Sequence, residues 1–125
     1  MSALDRWIPR LIIGVAGLHA IDAVVVYHDE YRDILAAGLI GTVDGHRDRE
    51  AATWFLVAAP AVAALGFASR WSVERTGRIP PVVPTTLIGL GALIALLSPG
   101  PGGIALGALG AAGIAATRRT WRATA

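Results

Sequence analysis

His19 and Asp22 stand three residues apart inside an otherwise apolar run, residues 8–27 (IPRLIIGVAGLHAIDAVVVY). On a helix that spacing brings both side chains out on one face. Paired, the carboxylate would orient the imidazole and favour its charged form. General acid–base sites that move a proton on a bound substrate use that relation. The same two residues would equally serve as a polar pair gluing helices together, and the sequence leaves both readings open. Counted inward from Tyr27 at 1.5 Å per residue, Asp22 lies about 7–8 Å and His19 about 12 Å from the end of the run. A carboxylate that deep in a bilayer costs about 2.5–3.5 kcal/mol on insertion scales, so the pair is expected to face the interior of a bundle.

Candidate ligand-binding residues lie just beyond the run. Tyr31, His28, His46 and Trp54 would stand at the rim or wall of an outward-facing cavity floored by His19 and Asp22. Their neighbours Asp29, Glu30, Asp33, Asp44, Asp48 and Glu50 make the connection acidic, as a solvated surface loop is. No His or acidic spacing matches an established metal-ligand motif, so no metal is expected. No second histidine lies inside another apolar run, which removes bis-histidine haem. With no cysteine, thiolate ligands, disulfides and thiol redox chemistry are excluded. Phosphate-cradling glycine loops, nucleophile elbows and HExxH are absent too, and no cofactor is expected.

Four membrane spans are needed to position these groups. Residues 8–27, at 1.5 Å each, reach about 30 Å, the thickness of the hydrocarbon core. Pro9 is tolerated in a first helical turn, and Trp7 suits the interface. Residues 51–69 form the second span, with Pro60 freeing the carbonyl of Leu56 and predicting a kink. Residues 81–98 and 104–117 form the third and fourth, separated by the helix-breaking SPGPGG. Between the first two spans, Tyr31, Ile34, Leu35 and Leu39 make one apolar stripe, which predicts an amphipathic interfacial helix over 30–40 ended by Gly41. Gly103, Gly107, Gly110 and Gly113 align on one face of the last span and suit close helix approach, including self-association into a homo-oligomer. The fold class expected is all-α, an integral membrane four-helix bundle forming a single transmembrane domain over residues 1–125.

Composition and charge agree. Of 125 residues, 54% are hydrophobic and 16% charged, and the mean hydropathy is +0.58. Lipid-solvated chains show that balance. All 11 basic residues are arginine, and they follow the ends of the apolar runs rather than forming one patch, which argues against nucleic acid as a partner. A cleaved signal peptide is not expected, because the first run is too long for an h-region and carries His19 and Asp22. Eight arginines (Arg6, Arg10, Arg70, Arg75, Arg78, Arg118, Arg119, Arg122) occupy the N-terminus, the second connection and the C-terminus. Three (Arg32, Arg47, Arg49) occupy the first connection. Both termini are therefore expected in the cytoplasm, with Trp7, Trp71 and Trp121 at the inner interface and Tyr27, Tyr31 and Trp54 at the outer.

The segments RLIIGVAGLHAID, ILAAGLIGTV and ATWF together resemble the DUF6463 family, small bacterial four-span membrane proteins without an assigned activity. The similarity lies in the first half of the chain, and it makes His19, Gly38, Trp54 and Phe55 the characteristic positions. It implies a bacterial cytoplasmic membrane location and the four-span fold, and no activity.

Three functions fit. The first is a pocket that binds an apolar or amphipathic small molecule, with His19 and Asp22 supplying proton transfer of an isomerase or cyclase kind. The second is proton-coupled transport with Asp22 as the coupling carboxylate. The third is a non-catalytic interaction subunit docking through the glycine face of the last span.

Overall fold

The computed structural model describes residues 3–123 apart from Pro99, with side chains through Arg118. Pro99 of the expected turn, and the side chains of Arg119, Trp121 and Arg122 expected at the inner interface, lie outside the described residues. The described residues form five helices and no strand: α1 (Ala3–Val26), α2 (His28–Ala36), α3 (Arg47–Thr76), α4 (Val82–Leu97) and α5 (Pro101–Ala123). At 1.5 Å per residue α1 is about 36 Å long and α3 about 45 Å. Both are long and apolar enough to cross a membrane. Only 28% of the apolar stretch of α1 and 17% of that of α3 is buried within the chain. A core helix of a water-soluble protein would be mostly covered, so these faces need another apolar solvent or partner. The apolar α4, with 16 residues, is about 24 Å long.

The helix boundaries differ from the sequence expectation at their ends. α1 starts at Ala3, so Pro9 is buried inside the helix, where it has no N–H to donate. α3 runs unbroken through Pro60. α2 stops at Ala36, short of the expected 30–40, and Gly38 rather than Gly41 ends it. The N–H of Gly38 donates to the carbonyl of Leu35, and the N–H of Leu39 to that of Ile34, with Gly38 at φ 97°. This is a Schellman stop, and a Cβ at Gly38 would be strained in that conformation. Leu39 therefore leaves the helical stripe, itself at φ 70°.

Packing divides the chain into two compact units. One comprises Met1–Ile12 with Leu65–Ala125, the other Ile13–Ala64. The first is built on the antiparallel pair α4 and α5, joined through glycines. A Cβ on Gly91 would sit 2.5 Å from the backbone N of Gly107 and 2.7 Å from the carbonyl of Gly103. One on Gly103 would lie 2.8 Å from the N of Ala95, and one on Gly110 2.8 Å from the N of Ile88. The backbones therefore meet directly. The expected close helix approach at Gly103 and Gly110 is thus made with α4 of the same chain, while a Cβ on Gly107 would meet nothing within 4 Å. Pro101 opens α5, where its missing N–H has no intrahelical acceptor to lose.

Candidate functional site

The second unit holds most of the residues singled out from the sequence. Its core is made of small side chains. Ala16 and Ala23 of α1 and Ala52 and Ala59 of α3 are buried, each pair seven residues apart. Seven residues is close to two helical turns, so each pair forms one seam, and alanine lets two such seams approach closely. Ile34 of α2 is the one large aliphatic side chain among the buried residues here. This alanine period was readable in the sequence but is masked by how common alanine is in both helices.

Above the seam sits a ring cluster. The imidazole of His19 lies 4.2 Å from the Phe55 ring, centroid to centroid, and Phe55 is 5.4 Å from Tyr27. Tyr27 in turn meets Tyr31 edge-on at 6.4 Å. His19 Nε2 is 2.9 Å from the carbonyl oxygen of Phe55. A carbonyl only accepts, so Nε2 carries the proton, and in the neutral imidazole Nδ1 is left as an acceptor. The Tyr31 hydroxyl donates to the carbonyl of Ala52 at 2.8 Å, tying α2 to α3. Burial, then the neighbouring Tyr27 and Glu30, push the Tyr31 phenol above its ordinary pKa. Its neutral, donating form is thus favoured in the fold, and the sign follows. Stability is fully present below about pH 10, the unfolded value, and falls as pH rises through the higher folded value. Tyr31→Phe is expected to lower stability by about 1 kcal/mol at neutral pH, as a lost hydrogen bond of this kind does. The variant should also lack this part of the alkaline decline, which chemical unfolding at neutral and alkaline pH would measure.

His19 and Asp22 do not form the expected pair. His19 is half-buried and turned to Phe55, while Asp22 is exposed on α1. The sixty-degree offset of an i, i+3 pair (about that for a 3.6-residue turn) is enough to place one inside the helix contact and the other outside it. Trp54 is 73% exposed. His28 and His46 are exposed as well, and their Nδ1 atoms lie 3.3 Å from Asp29 Oδ1 and from the carbonyl of Asp44 respectively. Of the four expected ligand-binding residues, only Tyr31 joins the cluster. Among the described residues no group of three His, Asp or Glu side chains is placed to hold a metal ion. The connection before α3 is instead pinned to that helix. Arg49 Nη1 donates to the carbonyl of Thr42 at 2.9 Å, and Glu50 Oε1 accepts from the N–H of Gly45 at 3.0 Å.

Beside the ring cluster lies a groove of about 590 Å³ between α1 and α3 within this unit. Ile13, Ala16, Gly17 and Ala20 form one wall, and Leu56, Val57, Ala59, Pro60 and Ala63 the other. It arises because Gly17 and the alanines are too small to fill the space between the helices, and every lining residue is apolar. The sequence reading missed it, since among its walls only Pro60 and the Leu56 carbonyl it frees had drawn notice.

Two helices long and apolar enough to cross a membrane, and a groove walled only by apolar residues, define a helical protein with exposed apolar surface. Residues 3–121 match the family of unknown function DUF6463, and the chain belongs to it. The match covers nearly the whole chain, where the sequence motifs alone carried the resemblance over its first half. No curated protein and no solved structure matches the chain.

Proposed function

We propose that this is an integral membrane protein that holds an amphipathic small molecule in the groove between α1 and α3, without proton-transfer chemistry. In this reading α1, α3, α4 and α5 all span, and α2 lies at the outer face. The eight arginines on one side against three on the other support a threading with both termini in the cytoplasm. The exposed Leu35, Leu39 and Ile40, at and just beyond the end of α2, suit insertion among acyl chains. The shorter α4 is accommodated by local thinning of the bilayer.

The groove carries the reading. Its wholly apolar walls suit a hydrocarbon chain, and His19 directly precedes Ala20, one of the lining residues of α1. His19 Nδ1 suits a hydroxyl or N–H on the ligand's polar end. Acid–base catalysis is left without its acid, because Asp22 stands exposed and apart from His19.

Gly17 supplies the test. A Cβ there meets nothing within 4 Å, so the backbone leaves room for the first atom of the Gly17→Leu side chain, whose bulk then occupies the groove. The variant is expected to keep its helicity and stability while binding of a fluorescent long-chain alcohol in detergent micelles falls at least about tenfold, the loss of a few buried methylenes. Binding that persists in a folded Gly17→Leu protein refutes the groove as the site.

A further inference from the structure

Outside the groove, the strongest unassigned feature is the basic surface of the first unit. Arg6 and Arg10 of α1, Arg70 and Arg75 of α3, Arg78 and Arg118 share this unit with only Asp5 and Glu74 as acidic residues. Arg70 is paired with Glu74 at 2.8 Å, and Asp5 is buried. Two of the remaining arginines are held in a common way. The Arg10 guanidinium carbon lies 5.5 Å from the centre of the Trp7 ring, and that of Arg75 4.6 Å from Trp71. Both indoles are more than half exposed, at 56% and 59%. A guanidinium within about 6 Å of an indole is attracted by the ring, and its forked N–H donors can take two phosphate oxygens at once. A nearby hollow lined by Ser72, Thr76, Arg78 and Thr117 is a poorer anion seat. Its hydroxyls donate to backbone carbonyls of the chain, those of Ser72, Arg78 and Gly113.

We infer that the Arg10–Trp7 and Arg75–Trp71 cation–π pairs are docking points for the headgroup phosphates of anionic phospholipids in the bilayer. Charge complementarity selects the partner, and the tryptophans set the arginines at the depth where indoles settle, among the headgroups. The inference rests on the membrane placement proposed above.

The experiment reads tryptophan quenching by brominated phosphatidylglycerol against brominated phosphatidylcholine in mixed vesicles. The protein carries Trp54→Phe and Trp121→Phe, so emission comes from Trp7 and Trp71. Quenching should favour the anionic lipid, and the preference should fall about fivefold for each of Arg10→Gln and Arg75→Gln, as expected for one surface charge each. Added salt should weaken it. Arg32→Gln, in the other unit, should leave it unchanged. Equal quenching by both lipids overturns the inference, as does a preference unaltered in a double Gln variant that circular dichroism shows to be folded. If the double variant does not fold, a wild-type preference insensitive to salt overturns it instead. Inorganic phosphate that abolishes the preference at constant ionic strength also overturns it, by marking a soluble-anion site. Flotation of the vesicles in alkaline carbonate separates the two ideas. Protein that floats without lipid preference sinks only this inference, whereas protein that fails to float sinks the membrane reading as well.

Discussion

Gly91→Ala is expected to destabilise the protein by about 2–3 kcal/mol, while Gly89→Ala two residues away stabilises it by about 0.5–1 kcal/mol. Both glycines lie in the same helix, and intrinsic propensity favours alanine equally at each. Packing separates them. At Gly89 a Cβ meets nothing within 4 Å, whereas at Gly91 its three nearest atoms, all within 2.9 Å, belong to the backbone of α5. No side chain can rotate away, so α4 and α5 must part and forfeit contacts along the Gly103 and Gly110 seam. Denaturation by sodium dodecyl sulfate in mixed micelles, followed by far-ultraviolet circular dichroism, would compare the two. Equal effects of both substitutions would show that the glycines do not set the helix separation.

His19→Ala is expected to lower stability by about 2–3 kcal/mol. The variant loses the Nε2–H bond to Phe55, about 1 kcal/mol, and the ring contact, about 0.5–1.5 kcal/mol, together with some buried area. Asp22→Ala should not lower stability, because it removes a carboxylate that the chain leaves exposed and that is costly within a membrane span. The double variant should show a coupling energy below about 0.5 kcal/mol, because the two side chains share no contact. The same micelle titration measures all three. A coupling of 1 kcal/mol or more (about twice the limit for independent sites) would restore the acid–base pair and return proton transfer to consideration. His19→Gln, whose amide also donates, should recover part of the loss.

The helical class, the two long apolar helices and the break at SPGPGG were all legible in the sequence, because hydropathy and helix-breaking residues act locally. Arg49 and Glu50 looked like members of a solvated acidic loop, yet they fasten that loop to α3, and no pattern of charge announces which backbone group a side chain will reach. His19 was found by its cost in an apolar run, but its partner was assigned from sequence neighbours. The actual acceptor, a backbone carbonyl on another helix, leaves no trace in residue type. Gly38 shows the reverse case. It stood out as a characteristic position, and its positive φ at the end of α2 supplies the reason. The groove was hidden because it is made of what alanine and glycine lack, and a sequence records atoms rather than gaps between helices.

The contacts that join α4 to α5 link residues close together along the chain, through the short connection between Leu97 and Pro101. Closing so small a loop sacrifices little chain entropy, and neighbours so near in sequence meet quickly. When α5 leaves the ribosome its mate α4 has already emerged, and this helical hairpin requires no distant portion of the polypeptide in order to zip shut.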